Sequence, residues 1–473
     1  MNFFRYLLIF NAVRTYLMQH NRRKENAGRF LTDREVGTLL SSKHNGLVMD
    51  GARGKLSPDD SFRNIAIVAT TGAGKTSSFI LPNLLSLNNA SIVATDPSGA
   101  LSEKVAADLQ RRGFRVHILD PVHLDRSIGY NPLSRANSHP AMQEIAHILV
   151  NNSQSGKGGD PFWSQSAESI IGVLIACLKN HSKANEYGNL PNLLYLLNEF
   201  GDGTPLIPFV AKHAPDESVF RTFKGFISQA DRTMQGVLSQ AKASLSWVQD
   251  QDIAQLTNSS TFDFASLRKE KTALFLCIPQ NRIGYYAPLL SLFYTQLFHF
   301  LLDDDLYSKN SMPVYCLLDE FAHLSIPHFS SIITTTRARH VSLSLVLQSI
   351  SQLEERYGKN GAHTILHGGC ASQLYFSGMD IDTARMLRET LGEVSVETLL
   401  ANGQFRKDKE PLMTSAAIRS MADNEVIYLY GNKRPMRLKL TPYYEQADLL
   451  RRTQTTYKPP KIAPLSAVRY VPI

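Results

Sequence analysis

The stretch NIAIVATTGAGKTSSF, residues 64–79, decides the fold of this chain. Its apolar run predicts a buried strand, a glycine-containing turn follows, and Lys75 and Thr76 begin the next predicted helix. From Ala69 the letters follow A-x-x-x-x-G-K-T. In this pattern loop N–H groups surround phosphate oxygens, the lysine reaches the β- and γ-phosphates, and the threonine hydroxyl holds Mg²⁺. The sequence therefore predicts a nucleotide-phosphate site at the start of a helix, whose dipole adds a partial positive charge.

The predicted phosphate-binding loop has one unusual position, because Ala69 stands where glycine is commonest. Alanine fits there if its φ is negative, since only glycine reaches the mirror region at little cost. The alternative, a glycine turn with a surface lysine, is disfavoured because strand, loop, Lys-Thr and helix come in the required order. The residues predicted to contact nucleotide are Thr70, Thr71, Gly72, Ala73, Gly74, Lys75, Thr76 and Ser77.

A second apolar run, VYCLLDEFA at residues 314–322, ends in the acidic pair Asp319 and Glu320. A phosphate-binding loop needs an acidic site on a neighbouring strand, and this is the expected Walker B arrangement. Asp319 would accept hydrogen bonds from Mg²⁺-bound water, and Glu320 could orient or polarise the attacking water. A strand end with a solvated acidic pair is the alternative for this segment taken alone. Together with the loop it predicts nucleotide hydrolysis.

Composition fits a sizeable globular enzyme. The 473 residues exceed what one core usually accommodates, and 43% hydrophobic residues exclude global disorder. The net charge of +8 is compatible with a polyanionic partner such as nucleic acid or an anionic membrane face. The four cysteines lack metal-ligand spacing and predict reduced core residues of a cytosolic protein: Cys177, Cys277, Cys316 and Cys370.

The alternation of apolar runs predicts an α/β protein with a central, mostly parallel sheet and helices on both faces. Strands are predicted at residues 64–70, 91–95, 116–119, 273–278, 314–318, 342–347 and 426–430. Residues 36–180 and 261–445 would form the nucleotide-binding domain. The pattern of residues 181–260 predicts an inserted all-α domain. From 183 to 252 it has six Lys or Arg against eight Asp or Glu, so it is not a basic DNA clamp.

The two ends of the chain differ from the predicted core. Residues 1–35 combine an apolar helix interrupted by Arg5, Asn11 and Arg14 with a basic linker. An interfacial or partner-docking amphipathic helix fits this pattern better than a membrane span, which needs about 20 predominantly apolar residues. A helix packed on the protein's own core is the alternative. Residues 446–473 are basic and contain prolines, and they predict an extended tail that docks a partner or touches DNA.

Several segments beyond the loop resemble the type IV secretion coupling-protein family, the VirD4/TraG-type ATPases of bacterial conjugation. They follow the family's order: TDPSGAL (95–101), DPFW (160–163), LLDEFAHLSIP (317–327), LVLQSISQLEERYG (345–358) and PLMTSAAIRSM (411–421). The match covers roughly residues 64–444. Two features depart from the pattern: the two N-terminal transmembrane helices common in the family are absent here, and Ser98 stands where many members have lysine.

The resemblance implies a RecA-like P-loop NTPase that assembles as a homo-hexameric ring and uses ATP and Mg²⁺. Lys75 and Thr76 would bind phosphates and the metal, Asp319 would coordinate the metal's water, and Glu320 would be the catalytic base. Gln348, at the end of an apolar strand, resembles the γ-phosphate sensor, with a satisfied polar residue as the alternative. Arg337 resembles a trans-acting arginine finger. Arg339 competes for that role, and a solvated surface arginine is the alternative for either.

The resemblance also implies partners and a location. The motor would link a relaxase-bound single DNA strand to the components of a type IV secretion channel and drive conjugative transfer. An inner-membrane partner, or the N-terminal helix, would hold it at the cytoplasmic face of the bacterial inner membrane. Two alternatives stay open. One is a duplex-DNA translocase of the FtsK or HerA type, which the helical insertion and the DPFW segment argue against. The other is a nucleotide-gated adaptor that recruits protein substrates without moving DNA.

Overall fold

The structure of the protein, a computed structural model, describes residues 24–25, 28–153, 161–399, 404–455, 457 and 462–473. The predicted N-terminal apolar helix therefore lies outside the described residues, as do Asp160 of the DPFW segment and residues 458–461 of the basic tail.

The core of the described chain is a nine-stranded sheet. In chain order its strands are β1 (Ile65–Val68), β2 (Ser91–Thr95), β3 (Arg115–Leu119), β4 (Thr272–Leu276), β5 (Val314–Leu318), β6 (Val341–Leu347), β7 (Ser372–Phe376), β8 (Glu425–Tyr430) and β9 (Met436–Lys439). Their order in the sheet is β9-β8-β7-β1-β6-β5-β2-β4-β3. The seven strands from β7 to β3 run parallel. The strand β8 is antiparallel to both of its neighbours. This mostly parallel sheet confirms the predicted fold class.

Both faces of the sheet are covered. In β1, Ala66 and Val68 belong to one hydrophobic core, while Ile65 and Ile67 belong to a second core. All four are buried, so the strand is apolar without alternation, as expected for a parallel strand between helical layers.

The helices that cover the sheet and form the insertion are, in chain order, Asp33–Leu39, Pro58–Ser61, Thr76–Ile80 continuing as Leu81–Ser86, Ala100–Arg111, His139–Ser153, Pro161–Asn180, Ala184–Tyr187, Leu190–Asn198, Ile207–His213, Glu217–Ile227, Asp231–Ser244, Gln251–Leu256, Ser266–Lys269, Ile283–Leu302, Phe329–Thr335, Ile350–His363 continuing as Thr364–Gly369, Ile381–Leu391, Ser415–Arg419 and Ala447–Thr453.

Sequence patterns did not predict β7, because its first two residues are polar. In the structure Ser372 and Gln373 are buried with their hydrogen bonds satisfied. The Ser372 hydroxyl lies 3.0 Å from the hydroxyl of Tyr428, and the Gln373 amide donates to the Leu366 carbonyl at 2.9 Å. Internal partners therefore offset the cost of burying these groups.

An all-helical region interrupts the sheet between β3 and β4. The helices His139–Ser153 and Pro161–Asn180 pack on each other and on Asp231–Ser244. We therefore propose that the helical unit spans residues 139–256, beginning earlier than the predicted boundary at 181. Among the described helices, Pro161–Asn180 alone is long and apolar enough to cross a membrane, and 56% of its apolar window is buried against the rest of the protein.

A second, three-stranded antiparallel sheet was not predicted. Glu393–Leu399 pairs with Phe405–Pro411, and Lys24–Glu25 pairs with the other edge of Glu393–Leu399.

The prediction of an extended tail is wrong for residues 447–453, whereas residues 462–473 contain neither helix nor strand. Ala447–Thr453 is a helix, and the Arg452 guanidinium contacts the Asp108 carboxylate at 2.7 Å. Further on, Leu465 and Val471 are buried, and the Val471 N–H donates to the side chain of Asn192 at 2.7 Å. These isolated apolar residues pack on the helical unit although they show no helical or strand periodicity.

Asn64 immediately precedes β1 and has a left-handed backbone conformation with φ of 56°. Its side chain forms hydrogen bonds with several separate segments of the chain. Its side-chain amide donates to Ile333, Thr336 and Gly369, and its oxygen accepts from the Leu343 N–H at 2.9 Å. We expect Asn64→Ala to lower the free energy of unfolding by about 2–4 kcal/mol, because buried partners lose their hydrogen bonds.

The matched control for this prediction is Asn89→Ala, since Asn89 is exposed and has a similar φ of 52°. That variant tests the backbone contribution alone, expected to be about 1 kcal/mol. Thermal unfolding of the two variants compares them directly. Equal destabilisation would show that the hydrogen bonds of Asn64 contribute little.

Candidate nucleotide-binding site

The predicted phosphate-binding loop leaves the carboxyl end of β1. Ala69 continues the sheet, with its N–H donating to the Leu347 carbonyl at 3.0 Å, and its φ is negative. The alanine in place of glycine is therefore accommodated, as predicted. Gly72 and Gly74 have φ of 83° and 87°, a region that favours glycine. The loop thus turns tightly into the helical segment Thr76–Ile80.

The topology of the sheet brings the predicted site residues to one edge. In parallel strands the carboxyl ends meet at the same edge, where ligands of open α/β sheets bind. Lys75 follows β1, Asp319 and Glu320 follow β5, and Gln348 follows β6, which lies between them. Residues far apart in the chain therefore form one cluster.

Lys75 lies between the two acidic side chains. Its Nζ is 3.1 Å from Asp319 Oδ1 and 3.1 Å from Glu320 Oε1. All three side chains are at most 12% exposed. The ammonium is thus already placed at the acidic strand end, where a nucleotide phosphate would compete with the carboxylates for it.

Burial and pairing shift the pKa values of this cluster in specific directions. Burial lowers the pKa of Lys75, but the two carboxylates outweigh it and hold the pKa above its ordinary value. Burial raises the pKa of Asp319, and the neighbouring Lys75 ammonium offsets that rise only in part. Lys75 is therefore fully charged at neutral pH and suited to bind phosphate.

Glu320 receives more hydrogen bonds than the sequence indicated. Gln348 Nε2 donates to its two carboxylate oxygens at 3.0 and 2.8 Å, and Gln280 Nε2 donates to Oε1 at 3.2 Å. His323 Nε2 lies 3.6 Å from Oε2. Glu320 also has a left-handed backbone with φ of 56°, a strained conformation for a residue with a side chain. The surrounding contacts therefore fix this carboxylate in one orientation.

Sequence reasoning missed Gln280 and His323. A signal for Gln280 was present, since it follows the buried strand β4 as a polar residue at a strand end. His323 follows Glu320 by three residues, which offered no such signal.

The cluster opens into a cavity of about 550 Å³. From the predicted loop, six residues line it: Thr71, Gly72, Gly74, Lys75, Thr76 and Ser77. Thr70 and Ala73 belong to the loop but do not line the cavity; the Ala73 N–H donates to the Thr70 carbonyl at 3.2 Å. Gln348 is brought to the site through its contact with Glu320 and also lies outside the lining.

The donor set fits Mg²⁺ bound together with phosphate. The exposed Thr76 and the Asp319 carboxylate line the same cavity, and both offer oxygen ligands. Within the described chain, no group of three or more His, Cys, Asp or Glu side chains forms a metal site. Mg²⁺ commonly binds through one or two protein oxygens plus substrate phosphates, so this sparse set is sufficient.

Arg337 and Arg339 lie away from this cavity. They line a separate cavity of about 840 Å³ that shares no lining residue with the first. The Arg339 guanidinium is paired with Asp304 and lies 5.4 Å from the centre of the Tyr307 ring. Arg337 is exposed. The structure therefore does not bring either arginine to the loop of its own chain.

Sequence comparison gives one family match and a set of similar proteins. The family described as Type IV secretory system Conjugative DNA transfer matches residues 20–463. VirD4 of Rhizobium radiobacter is 24% identical over 403 residues, which cover 81% of this chain and 57% of VirD4. VirD4 of Agrobacterium fabrum is 23% identical over the same length and is covered to 59%. The chain therefore spans somewhat more than half the length of these relatives.

Structure comparison shows the same fold in a conjugative coupling protein. TrwB in complex with a non-hydrolysable ATP analogue superposes with a TM-score of 0.70 at 19% identity, covering 89% of this chain and 95% of that chain. TrwB in complex with ADP and Mg²⁺ gives a TM-score of 0.70 at 18% identity over the same shares. VirB4 of Thermoanaerobacter pseudethanolicus is more distant, with a TM-score of 0.53 at 12% identity, covering 85% and 97%.

Proposed function

The chain belongs to the type IV secretory system conjugative DNA transfer family, and from that premise we propose that it is a coupling protein whose ATPase drives conjugative DNA transfer. The observation that carries the proposal is the cluster in which Lys75 contacts Asp319 and Glu320 while Gln348 holds Glu320. It joins the four polar groups that nucleotide hydrolysis needs at one edge of the sheet. The TrwB structures with an ATP analogue and with ADP and Mg²⁺ support ATP and Mg²⁺ as the ligands.

Each residue of the cluster has a defined task in this proposal. Lys75 leaves its two carboxylate partners and binds the β- and γ-phosphates, while loop N–H groups surround the same oxygens. Thr76 and Asp319 would hold the Mg²⁺, which would neutralise phosphate charge. Glu320, released by Lys75 but still held by Gln348 and Gln280, orients the attacking water and accepts its proton. Gln348, at the end of β6, is the proposed γ-phosphate sensor, because its contact with Glu320 connects that strand to the place where the γ-phosphate would bind.

The role of Glu320 gives a direct prediction. We expect Glu320→Gln to retain ATP binding and to lower the hydrolysis rate by about 10²- to 10⁴-fold, because an amide of the same size cannot accept the proton. Single-turnover hydrolysis of bound radiolabelled ATP measures the step. Glu355→Gln, at an exposed glutamate, is the matched control. Near-normal turnover of the Glu320 variant would remove it as the base.

We propose a ring with shared active sites, and the positions of the two arginines support this proposal. Arg339 is engaged within its own chain by Asp304 and Tyr307, whereas Arg337 is exposed at a cavity distinct from the nucleotide cavity. A finger that acts in trans has to be free in its own subunit and distant from its own loop. We assign the role to Arg337, in a homo-hexamer whose interfaces join this surface of one subunit to the nucleotide cavity of the next.

The proposed partners are a relaxase-bound single DNA strand and the components of a type IV secretion channel. The proposed location is the cytoplasmic face of the inner membrane, where an inner-membrane partner, or the predicted N-terminal helix, would retain the protein.

A relaxase-dependent transfer assay in cells tests this function. We expect Lys75→Ala to stop plasmid transfer and leave relaxase nicking of the plasmid intact. Transfer of DNA without the relaxase would favour a duplex-DNA translocase. Loss of protein export with unchanged DNA transfer would favour an adaptor.

A further inference from the structure

The nucleotide cavity extends beyond the residues that hydrolysis uses. One part of its lining is formed by the loop, the acidic pair and Gln280. The rest of the lining is a second group with no task in the proposed chemistry, which we call the distal wall: Leu81, Pro97, Ser98, Lys104, Tyr443 and Tyr444. A triphosphate at the loop would use the first part of this lining. The distal wall is the part that is available to the remainder of the nucleotide.

Tyr444 is the exposed aromatic ring of the distal wall. Its side chain is 54% exposed, although a large aromatic residue is ordinarily well covered. Its ring meets Tyr443 edge-on, with the centroids 5.6 Å apart and the planes at 76°. The short helical turn Tyr443–Glu445 packs on Thr76–Ile80, the segment that follows the phosphate-binding loop in the chain. An exposed ring thus stands next to the start of the P-loop helix.

The distal wall is fixed in place from both sides. Lys104 Nζ donates to the Tyr443 hydroxyl at 3.4 Å and lies 5.6 Å from the centre of its ring. Gln446 Nε2 donates to the Gly51 carbonyl at 2.7 Å. The helix that follows is anchored by the contact of Arg452 with Asp108 at 2.7 Å. Tyr444 is therefore presented by an ordered segment, so little conformational entropy is lost when a ligand binds it.

We infer that Tyr444 is the stacking platform for the nucleobase and that Tyr443, held by Lys104, positions it. The inference rests on the proposed nucleotide site and adds the part of the ligand that the loop does not contact. A nucleobase is a flat π-system, and stacking on an aromatic side chain stabilises it strongly. The ligand class is therefore a nucleotide with its base, not a free polyphosphate.

Two probes that differ only by the adenosine group test this assignment. Titration calorimetry in the presence of Mg²⁺ measures the affinity of the full chain for ADP and for inorganic pyrophosphate. We expect Tyr444→Ala to weaken ADP binding by roughly 5- to 150-fold, the range measured for single base-stacking contacts. Pyrophosphate binding should stay unchanged. Tyr444→Phe keeps the ring and should bind ADP like the wild type.

The controls separate this inference from the proposed function. Tyr470→Ala removes another exposed tyrosine, which lies outside the nucleotide cavity, and should leave both affinities unchanged. Lys75→Ala should weaken both probes; if neither is weakened, the proposed phosphate site itself fails. Unchanged ADP binding by Tyr444→Ala, or an equal loss for both probes, would overturn the stacking role. So would a loss in Tyr444→Phe as large as that in Tyr444→Ala.

Discussion

ATP hydrolysis should fall below detection when Lys75 is replaced by alanine. The ammonium of Lys75 contacts both carboxylates of the acidic pair at 3.1 Å, and it is the cation placed to reach the β- and γ-phosphates. Its removal leaves Asp319 and Glu320 buried next to each other without a counter-charge. The phosphates then meet uncompensated negative charge, so nucleotide binding and turnover are lost together. Steady-state phosphate release and equilibrium binding of ATP measure the two effects.

The matched control is Lys212→Ala, at an exposed lysine of the helical unit. It changes the net charge of the chain equally and should leave turnover intact. Thermal unfolding of both variants checks that the loss is local. Residual turnover of Lys75→Ala above about one tenth of the wild-type rate would contradict the role of Lys75, because removing a phosphate-binding cation from a phosphoryl-transfer site costs far more than tenfold.

The second large effect is expected at the subunit boundary. Arg337→Ala should leave ATP binding close to the wild-type value and reduce hydrolysis only in assembled rings. An arginine finger stabilises charge in the transition state, an effect worth about 10³ to 10⁵ in rate in the best-studied cases. Turnover measured below and above the concentration at which rings form separates the two states. Loss of nucleotide binding in the monomer would refute the role.

Mixing two inactive variants tests whether Arg337 acts in trans. An Arg337→Ala subunit keeps Lys75, and a Lys75→Ala subunit keeps Arg337, so some interfaces of a mixed ring contain both. Random assembly of equal amounts should restore about a quarter of the interfaces, since each heterologous interface takes its two halves from different subunits. If the mixture is as inactive as its components, the finger does not act across the boundary.

Much of the sheet could be predicted because parallel strands are continuous apolar runs. The strands β1 to β6 and β8 lie within one or two residues of the predicted ends. The strand β7 was not predicted because Ser372 and Gln373 are polar, and the buried partners of their hydrogen bonds cannot be identified from the sequence. The tail was mispredicted because Leu465 and Val471 are isolated in sequence, and only the fold brings them to an apolar surface.

The site residues also fall into two groups, those that the sequence predicted and those that it did not. Lys75, Thr76, Asp319 and Glu320 lie in local patterns whose chemistry can be read from a few residues. Gln280 offers only the weaker signal of following a buried strand, and Tyr444 lies in no such pattern. Both reach the cavity through the packing of distant segments. The left-handed backbone conformation of Glu320 could not be predicted from the sequence either, because it depends on the contacts around the strand end.

The central claim is that this cluster hydrolyses ATP in a ring that responds to DNA. We would measure ATP turnover by the purified wild-type chain with and without single-stranded DNA, and record the oligomer mass in the same samples, with Lys75→Ala as the inactive reference. The account predicts that DNA raises turnover together with the conversion of monomers to rings. Turnover that is indifferent to DNA while the protein stays monomeric would contradict it.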